Sequence, residues 1–162
     1  MVPIPPDRVQ DPGGRNDPRL GRDPERTPMQ WDASAGAGFT TGTPWLPLAA
    51  DWQERNVAVQ SSDPTSLLSL HRALLALRRA HPALSVGQFA PLAATGDLLA
   101  YRRTAGTERF EIVLNLGSDA AEFPRPPERA LVRLSTHLDR TDEEVGTVLR
   151  LRGDEGVLLE LR

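Results

Sequence analysis

The sequence contains neither cysteine nor lysine. Without cysteine there is no disulfide, no thiol nucleophile and no thiolate metal site. Without lysine a GxxxxGK[ST] phosphate loop is impossible, and no GxGxxG pattern stands in its place. All 19 basic residues are arginine, and 22 acidic residues leave a formal charge of −3. That balance gives no protein-wide positive field for nucleic acid. No apolar run approaches the roughly 20 residues a membrane-spanning helix needs. The start, MVPIPPDRVQDPGG, lacks the apolar stretch of a secretory signal. The default expectation is a cytoplasmic protein with no nucleic-acid and no membrane partner.

What is present is unevenly placed. Nine of the 15 prolines lie at or before Pro47, and the net charge of −3 is confined to residues 1–63. Turn signals crowd this part: DPGG at Asp11–Gly14, NDP at Asn16–Pro18, RDP at Arg22–Pro24 and TPW at Thr43–Trp45. Proline blocks helix interiors and ladders, and holds its predecessor extended. A long segment of this kind is unusual inside a compact domain. It is either disordered or an ordered loop packed on a surface outside the chain. Disordered tracts are poor in aromatics, whereas this one holds Trp31, Trp45, Trp52 and Phe39, which favours order against a partner. Standing alone, it is the part most exposed to disorder.

One helix is expected over residues 64–80. Asp63 suits an N-cap and Pro64 the first helical position. Leu67, Leu70, Leu74 and Leu77 recur at helical spacing, and Leu68, Ala73, Leu75 and Ala76 widen the apolar arc. Pro82 stops the helix at His81. Beyond Leu84, strand-length runs alternate with turns: Leu98–Thr104, Arg109–Gly117, Ala121–Pro124, Ala130–Thr136, Val148–Gly153 and Gly156–Arg162. Phe110, Ile112, Leu114 and Leu116 alternate onto one face, with Val113 an exception on the other. TAGTE and RGDEG suggest hairpin turns. The pattern predicts a small antiparallel β-sandwich.

Chemistry-bearing residues are few. His71, His81 and His137 match no metal-ligand spacing, and no cofactor is expected. No nucleophile-elbow pattern occurs. The segment Gly21–Asp32, GRDPERTPMQWD, is the exception. It packs Arg22, Asp23, Glu25, Arg26, Gln30, Trp31 and Asp32 into one short stretch. Such groups serve either as internal pairs pinning a loop or as a sugar-facing surface, where an indole meets C–H groups and polar side chains reach hydroxyls.

GRDPERTPMQWDASAGAGFTTGTPWLP at Gly21–Pro47 and ERNVAVQSSDPTSLLSLHRALLALRRAHPAL at Glu54–Leu84 resemble the later part of glycoside hydrolase family 13. LSTHLDR at Leu134–Arg140 and LRLRGDEGVLLEL at Leu149–Leu161 are similar to its final strands. The resemblance is to α-glucosidases, oligo-1,6-glucosidases and trehalose synthases, and it covers nearly the whole chain. It implies a mixed fold: the C-terminal remnant of a (β/α)8 barrel followed by a small antiparallel sandwich. Residues 1–84 would end the catalytic barrel, with a loop over 1–63 and the last helix over 64–80, and residues 85–162 would form the sandwich. Family members are retaining, which needs two carboxylates about 5 Å apart on a rigid frame. Segments like those that carry them are missing here, so no catalytic residue is assigned and the chain alone is expected to be inactive. By resemblance, Arg22, Asp23 and Phe39 lie near substrate in a complete enzyme. Arg26, Gln30, Trp31 and Asp32 organise the loop. The implied partners are an α-glucoside or a malto- or isomalto-oligosaccharide, and a missing barrel portion. A carbohydrate-binding or complementing module, and a glucosyl-isomerase parent, are the alternatives.

Overall fold

A computed structural model describes residues 2–162. The chain forms two compact units, one up to Leu68 and one over Ser69–Arg162.

The first unit is built from short turns rather than long elements. Single 3-10 turns at Pro6–Arg8, Pro18–Leu20 and Asp23–Arg26 each carry a proline at the first or second helical position, where its missing N–H costs nothing. The helix α1, Pro12–Asn16, is capped by Asp11, which accepts the Gly13 amide. A second helix, α2, spans Val57–Ser62, within the stretch expected to be loop.

The helix expected over 64–80 begins later. α3 spans Leu67–Ala80. Asp63 does not cap it: its carboxylate accepts the Thr65 amide at 2.8 Å and the Thr65 hydroxyl at 2.7 Å. That local turn competes with helix geometry and holds Asp63–Ser66 outside the helix. The stop before Pro82 is as expected, and a single further turn, α4, covers Pro82–Ser85.

The second unit contains eight strands: β1 Gln88–Thr95, β2 Leu98–Ala105, β3 Glu108–Asn115, β4 Ala121–Pro124, β5 Ala130–Ser135, β6 Glu144–Val145, β7 Val148–Leu151 and β8 Gly156–Leu161. One antiparallel sheet runs β1-β2-β3-β8-β5-β6, and β4 pairs β7 in a second sheet. This is the sandwich the turn spacing predicts. β1 escaped the sequence pattern because Pro91 interrupts it. It is an edge strand with a register shift between Pro91 and Ala93, the setting in which a sheet tolerates proline.

Two expectations need correction. The RGDEG turn is not a hairpin, because β7 pairs β4 whereas β8 lies between β3 and β5. The turn instead carries the chain from one sheet to the other. It is pinned by Asn115, whose amide nitrogens reach the Glu155 carbonyl from the backbone at 2.9 Å and the Arg152 carbonyl from the side chain at 2.8 Å. Second, Val113 is no exception. It is fully buried in the sandwich core with Phe123, Val132, Leu149, Leu151, Val157 and Leu159. The opposite face, with Phe110, Leu134 and Leu158, packs under α4 and the Leu70, Ala73 and Leu77 side of α3. A sheet covered on both faces needs apolar residues at both parities, which explains why β8 reads as the nearly continuous run Val157–Leu159.

Candidate functional site

The sequence-predicted residues fall in two clusters of the first unit. The first surrounds Asp11. The turn Asp23–Arg26 places the Asp23 carboxylate under the preceding chain, where Oδ2 accepts the amides of Gln10 at 2.7 Å and Asp11 at 2.9 Å. Asp23 is buried, and its Oδ1 has no hydrogen-bond donor among the described residues. Asp23 also lines a cavity of about 290 Å³ whose other walls are Val2, Pro3, Ile4, Val9, Gly14, Pro18, Gly21 and Pro24.

Asp11 is the acceptor for both nearby arginines. Its Oδ2 takes Arg22 Nε at 2.7 Å and Arg26 Nη1 at 3.5 Å, and its Oδ1 takes the Gly13 amide at 2.8 Å. The Arg22 bond and the Gly13 amide hold the Asp11 carboxyl below the usual carboxylate range. Gly14 and Gly21 meet backbone to backbone at this point, a Cβ on either lying 3.0 Å from the other's Cα, so a side chain at either would press the two segments apart. Sequence reasoning missed Asp11 as a site residue and read it only as a turn signal. An acid one residue before proline and two before glycine carries no mark of a partner eleven residues away.

The second cluster is built around Gln30, Trp31 and Asp32. The Gln30 and Trp31 carbonyls accept the first two amides of α2, from Val57 at 3.0 Å and Ala58 at 2.9 Å. The Gln30 side-chain amide donates to the Arg55 carbonyl. The Trp31 amide donates to the Ala37 carbonyl at 2.8 Å. Ala37 is buried with φ +56°, between Gly36 at +73° and Gly38 at +65°, so three successive residues hold the left-handed conformation. At Gly38 a Cβ would fall 2.7 Å from Asp32 Oδ2, so a side chain there would have to displace the Asp32 carboxylate as well as hold a positive φ. Asp32 accepts the Ser34 amide at 2.8 Å and its hydroxyl, which holds the carboxyl below its ordinary value. The Trp31 and Phe39 rings remain about half exposed, at 49 % and 50 %, while their backbones are fixed.

The structure therefore brings Arg22, Asp23 and Arg26 together around Asp11, and ties Gln30, Trp31 and Asp32 into a separate turn before Phe39. The two carboxylates of the first cluster are each engaged by loop amides, Asp23 by Gln10 and Asp11, and Asp11 by Gly13. In the second unit His81 Nδ1 lies 3.1 Å from Glu108 Oε1, and Glu108 Oε2 accepts the Ala83 amide. The His81 ring meets Phe110 edge-on at 4.8 Å, which makes His81 part of the packing between α4 and β3. Glu108 is held below its ordinary value by the Ala83 amide and by His81. Among the described residues, no group of three or more histidines and acids is gathered as for a metal ion, and no helix is long and apolar enough to cross a membrane.

Comparison with known proteins adds to this geometry. Residues 9–87 match the alpha amylase catalytic-domain family. The chain is similar to a probable alpha-glucosidase of Rhizobium meliloti, 40 % identical over 67 % of this chain and 20 % of that protein. It is also similar to an oligo-1,6-glucosidase of Parageobacillus thermoglucosidasius, 34 % identical over 88 % of this chain and 26 % of that protein. Among solved structures, the trehalulose synthase MutB of Pseudomonas mesoacidophila MX-45 superposes with a TM-score of 0.81. It is 30 % identical, over 92 % of this chain and 27 % of that one. The chain spans between a fifth and about a quarter of the length of these relatives.

Proposed function

The chain belongs to glycoside hydrolase family 13, the α-amylase superfamily, as a C-terminal-like portion of an oligo-1,6-glucosidase or trehalose-synthase type of member, and from that premise we propose that it is the non-catalytic end of a retaining α-glucosidase-like enzyme. Residues 1–84 are then the terminal part of the catalytic barrel and residues 85–162 a C-terminal sandwich. The end of the catalytic-domain match at residue 87, immediately before β1 begins at Gln88, supports that boundary.

The observation that carries the proposal is a catalytic-domain match confined to residues 9–87 of this chain, which itself spans only a fifth to about a quarter of the relatives it matches. The committed state of the acids supports it. Asp11, Asp23 and Asp32 are each held by backbone amides of their own loops. The buried Glu111 and Glu155 are each paired with arginine. Each of these acids is engaged by its own surroundings, Asp23 through one oxygen only. In the complete enzyme the acids that attack the anomeric carbon and protonate the leaving oxygen sit on the remaining barrel. A covalent glucosyl-enzyme forms there at an α-glucosidic bond of an oligosaccharide, and water releases it. The loop then contributes one rim of the substrate entrance. Arg22, Asp23 and Phe39 lie near the sugar. Arg26, Gln30, Trp31 and Asp32 keep the loop's shape. The trehalulose synthase likeness supports a second outcome in which another sugar position, rather than water, accepts the glucosyl unit.

The test is turnover of p-nitrophenyl α-glucoside by the purified chain. No rate above buffer is expected, and measurable hydrolysis would sink the proposal. The exposed Trp31 and Phe39 rings favour one competing function, a sugar-binding module. Maltose binding by the chain that disappears in Arg22→Ala or Trp31→Ala would replace the proposal with that function.

A further inference from the structure

The proposed substrate role of Arg22 raises the question of what fixes a side chain that is two-thirds exposed. Its guanidinium has one anchor among the described residues, the bond from Nε to Asp11 Oδ2 at 2.7 Å. Asp11, by contrast, is 3 % exposed and immobilised from three sides. Its own amide donates to Asp23 Oδ2, its Oδ1 accepts the Gly13 amide, and Pro12 follows it as the first residue of α1. The adjacent residues Arg22 and Asp23 thus grip the Gln10–Asp11 segment in opposite senses. Asp23 accepts from its backbone, and Arg22 donates to its side chain. A closed arrangement of this kind sets the orientation of the guanidinium before any ligand arrives, which is how a binding group is pre-organised at low entropic cost.

We propose that Asp11 is a positioning residue, acting through Arg22, whose buried carboxylate aims the Arg22 guanidinium at the substrate side of the loop. The substrate half of this statement rests on the function proposed above, while the positioning half does not. The other charges facing Asp11 are Arg26, at 3.5 Å, and Asp23, which reaches it through the backbone. Arg26 is the longer and weaker partner, so Arg22 is the side chain that Asp11 orders.

The test reads the Arg22 Nε–H group by nuclear magnetic resonance in the intact chain, with no sugar and no activity required. Hydrogen exchange at Arg22 Nε is expected to be slow in the native protein. It should be about tenfold faster or more in Asp11→Asn, as befits loss of a bond to a charged acceptor, and little changed in Arg26→Ala. Asp11→Asn keeps a side-chain oxygen for the Gly13 amide and leaves the backbone bonds to Asp23 in place, so the loop should stay folded. If that variant does not fold, a pH titration of the native chain serves instead. The Arg22 Nε signal must move together with the Asp11 carboxyl as it protonates, below the usual carboxylate range. Solvent-rate exchange at Arg22 in the native chain, exchange unchanged in Asp11→Asn, or an Arg22 signal indifferent to Asp11 titration overturns the proposal. Each of these outcomes is independent of whether the chain or its complete enzyme acts on α-glucosides.

Discussion

Asn56 Oδ1 accepts the Val59 amide at 2.9 Å, closing the start of α2. With the Gln30 and Trp31 carbonyls on Val57 and Ala58, each of the first three amides of this six-residue helix has a partner, and Gln60 makes the first helical bond, to the Asn56 carbonyl. Amides of that first turn have no partner within a helix itself. The MQWD stretch is therefore tied to a helix start some 25 residues away, and the shape of the loop depends on that tie.

Replacing Asn56 should accordingly loosen the loop and not the helix alone. Asn56→Ala removes the cap and also frees the Trp52 and Gln53 carbonyls, which the Asn56 amide now reaches at 3.0 and 3.1 Å. The expected cost is about 1–2 kcal/mol. Hydrogen exchange should show faster opening at Val57–Val59 and at Trp31 together. Loss confined to Val59 would mean that the loop does not depend on the cap.

The sandwich holds a buried charge pair whose members are unequal to their removal. Arg125 Nε bonds Glu111 Oε2 at 2.9 Å, both side chains being essentially inaccessible, and Arg102 takes the other Glu111 oxygen at 2.6 Å. Arg125→Met leaves the Glu111 carboxylate half-paired in the core, with Arg102 its remaining partner, and should cost up to about 3–5 kcal/mol. Adding Glu111→Leu should recover a large part of that loss, because apolar replacement of a whole buried pair is often neutral. Urea unfolding of the two single variants and the double variant measures the coupling, and additive losses would contradict it.

Acid should weaken the second unit through Glu155. Burial pushes its carboxyl up, but the Arg152 side-chain and backbone bonds and the Arg140 charge outweigh this and carry it down from 4.5 to about 2. Asp139, bonded to the same Arg152 guanidinium at 2.6 and 2.8 Å, is lowered as well. A folded-state value below the unfolded one stabilises fully above the unfolded value. That contribution is lost as pH falls through the folded value. Stability should therefore decline between pH 4.5 and about 2. In Arg152→Ala the Glu155 carboxyl should titrate higher, which carboxyl carbon resonances would record. An unchanged titration would remove Arg152 as the cause.

Gly153 should tolerate no side chain. A Cβ there would lie 2.0 Å from the Ser118 carbonyl oxygen, and the obstruction is backbone that cannot rotate aside. Gly153→Ala should cost about 1–3 kcal/mol, the usual range for overpacking, and disturb the Asn115 contacts that pin the crossover into β8. Gly146→Ala, with open space at its Cβ, is the control expected to leave the thermal midpoint nearly unchanged.

Local signals were legible wherever one side chain or one short period carries the information. The helical leucine repeat, the stop before Pro82, the six strand-length runs and the Pro-rich, Trp-rich loop all follow from periodicity and from the fixed φ of proline. β1 was hidden because Pro91 is acceptable only at an edge, and a sequence does not say which strand is an edge. α2 was hidden because its start depends on the carbonyls of Gln30 and Trp31. The Asp63 cap was misplaced because its carboxylate has two nearby acceptor uses, a helix start and an Asx turn, whose balance depends on the surrounding chain.

The candidate site divides in the same way. The residue types at Arg22, Asp23, Gln30, Trp31 and Asp32 marked the segment, and the ordered run of motifs led to the family. Which charges meet was another matter. Asp11 lies far from Arg22 along the chain and close to it in space. The sequence by itself determined the strands, the main helix, the loop's composition and the chain's kinship with glycoside hydrolases, because short-range sterics and side-chain chemistry are written residue by residue. The tertiary structure alone decided that RGDEG crosses between sheets, that Val113 faces the core and that Asp11 holds Arg22. Those outcomes depend on burial on both faces of a sheet and on hydrogen bonds between distant segments, which exist only once the chain has closed.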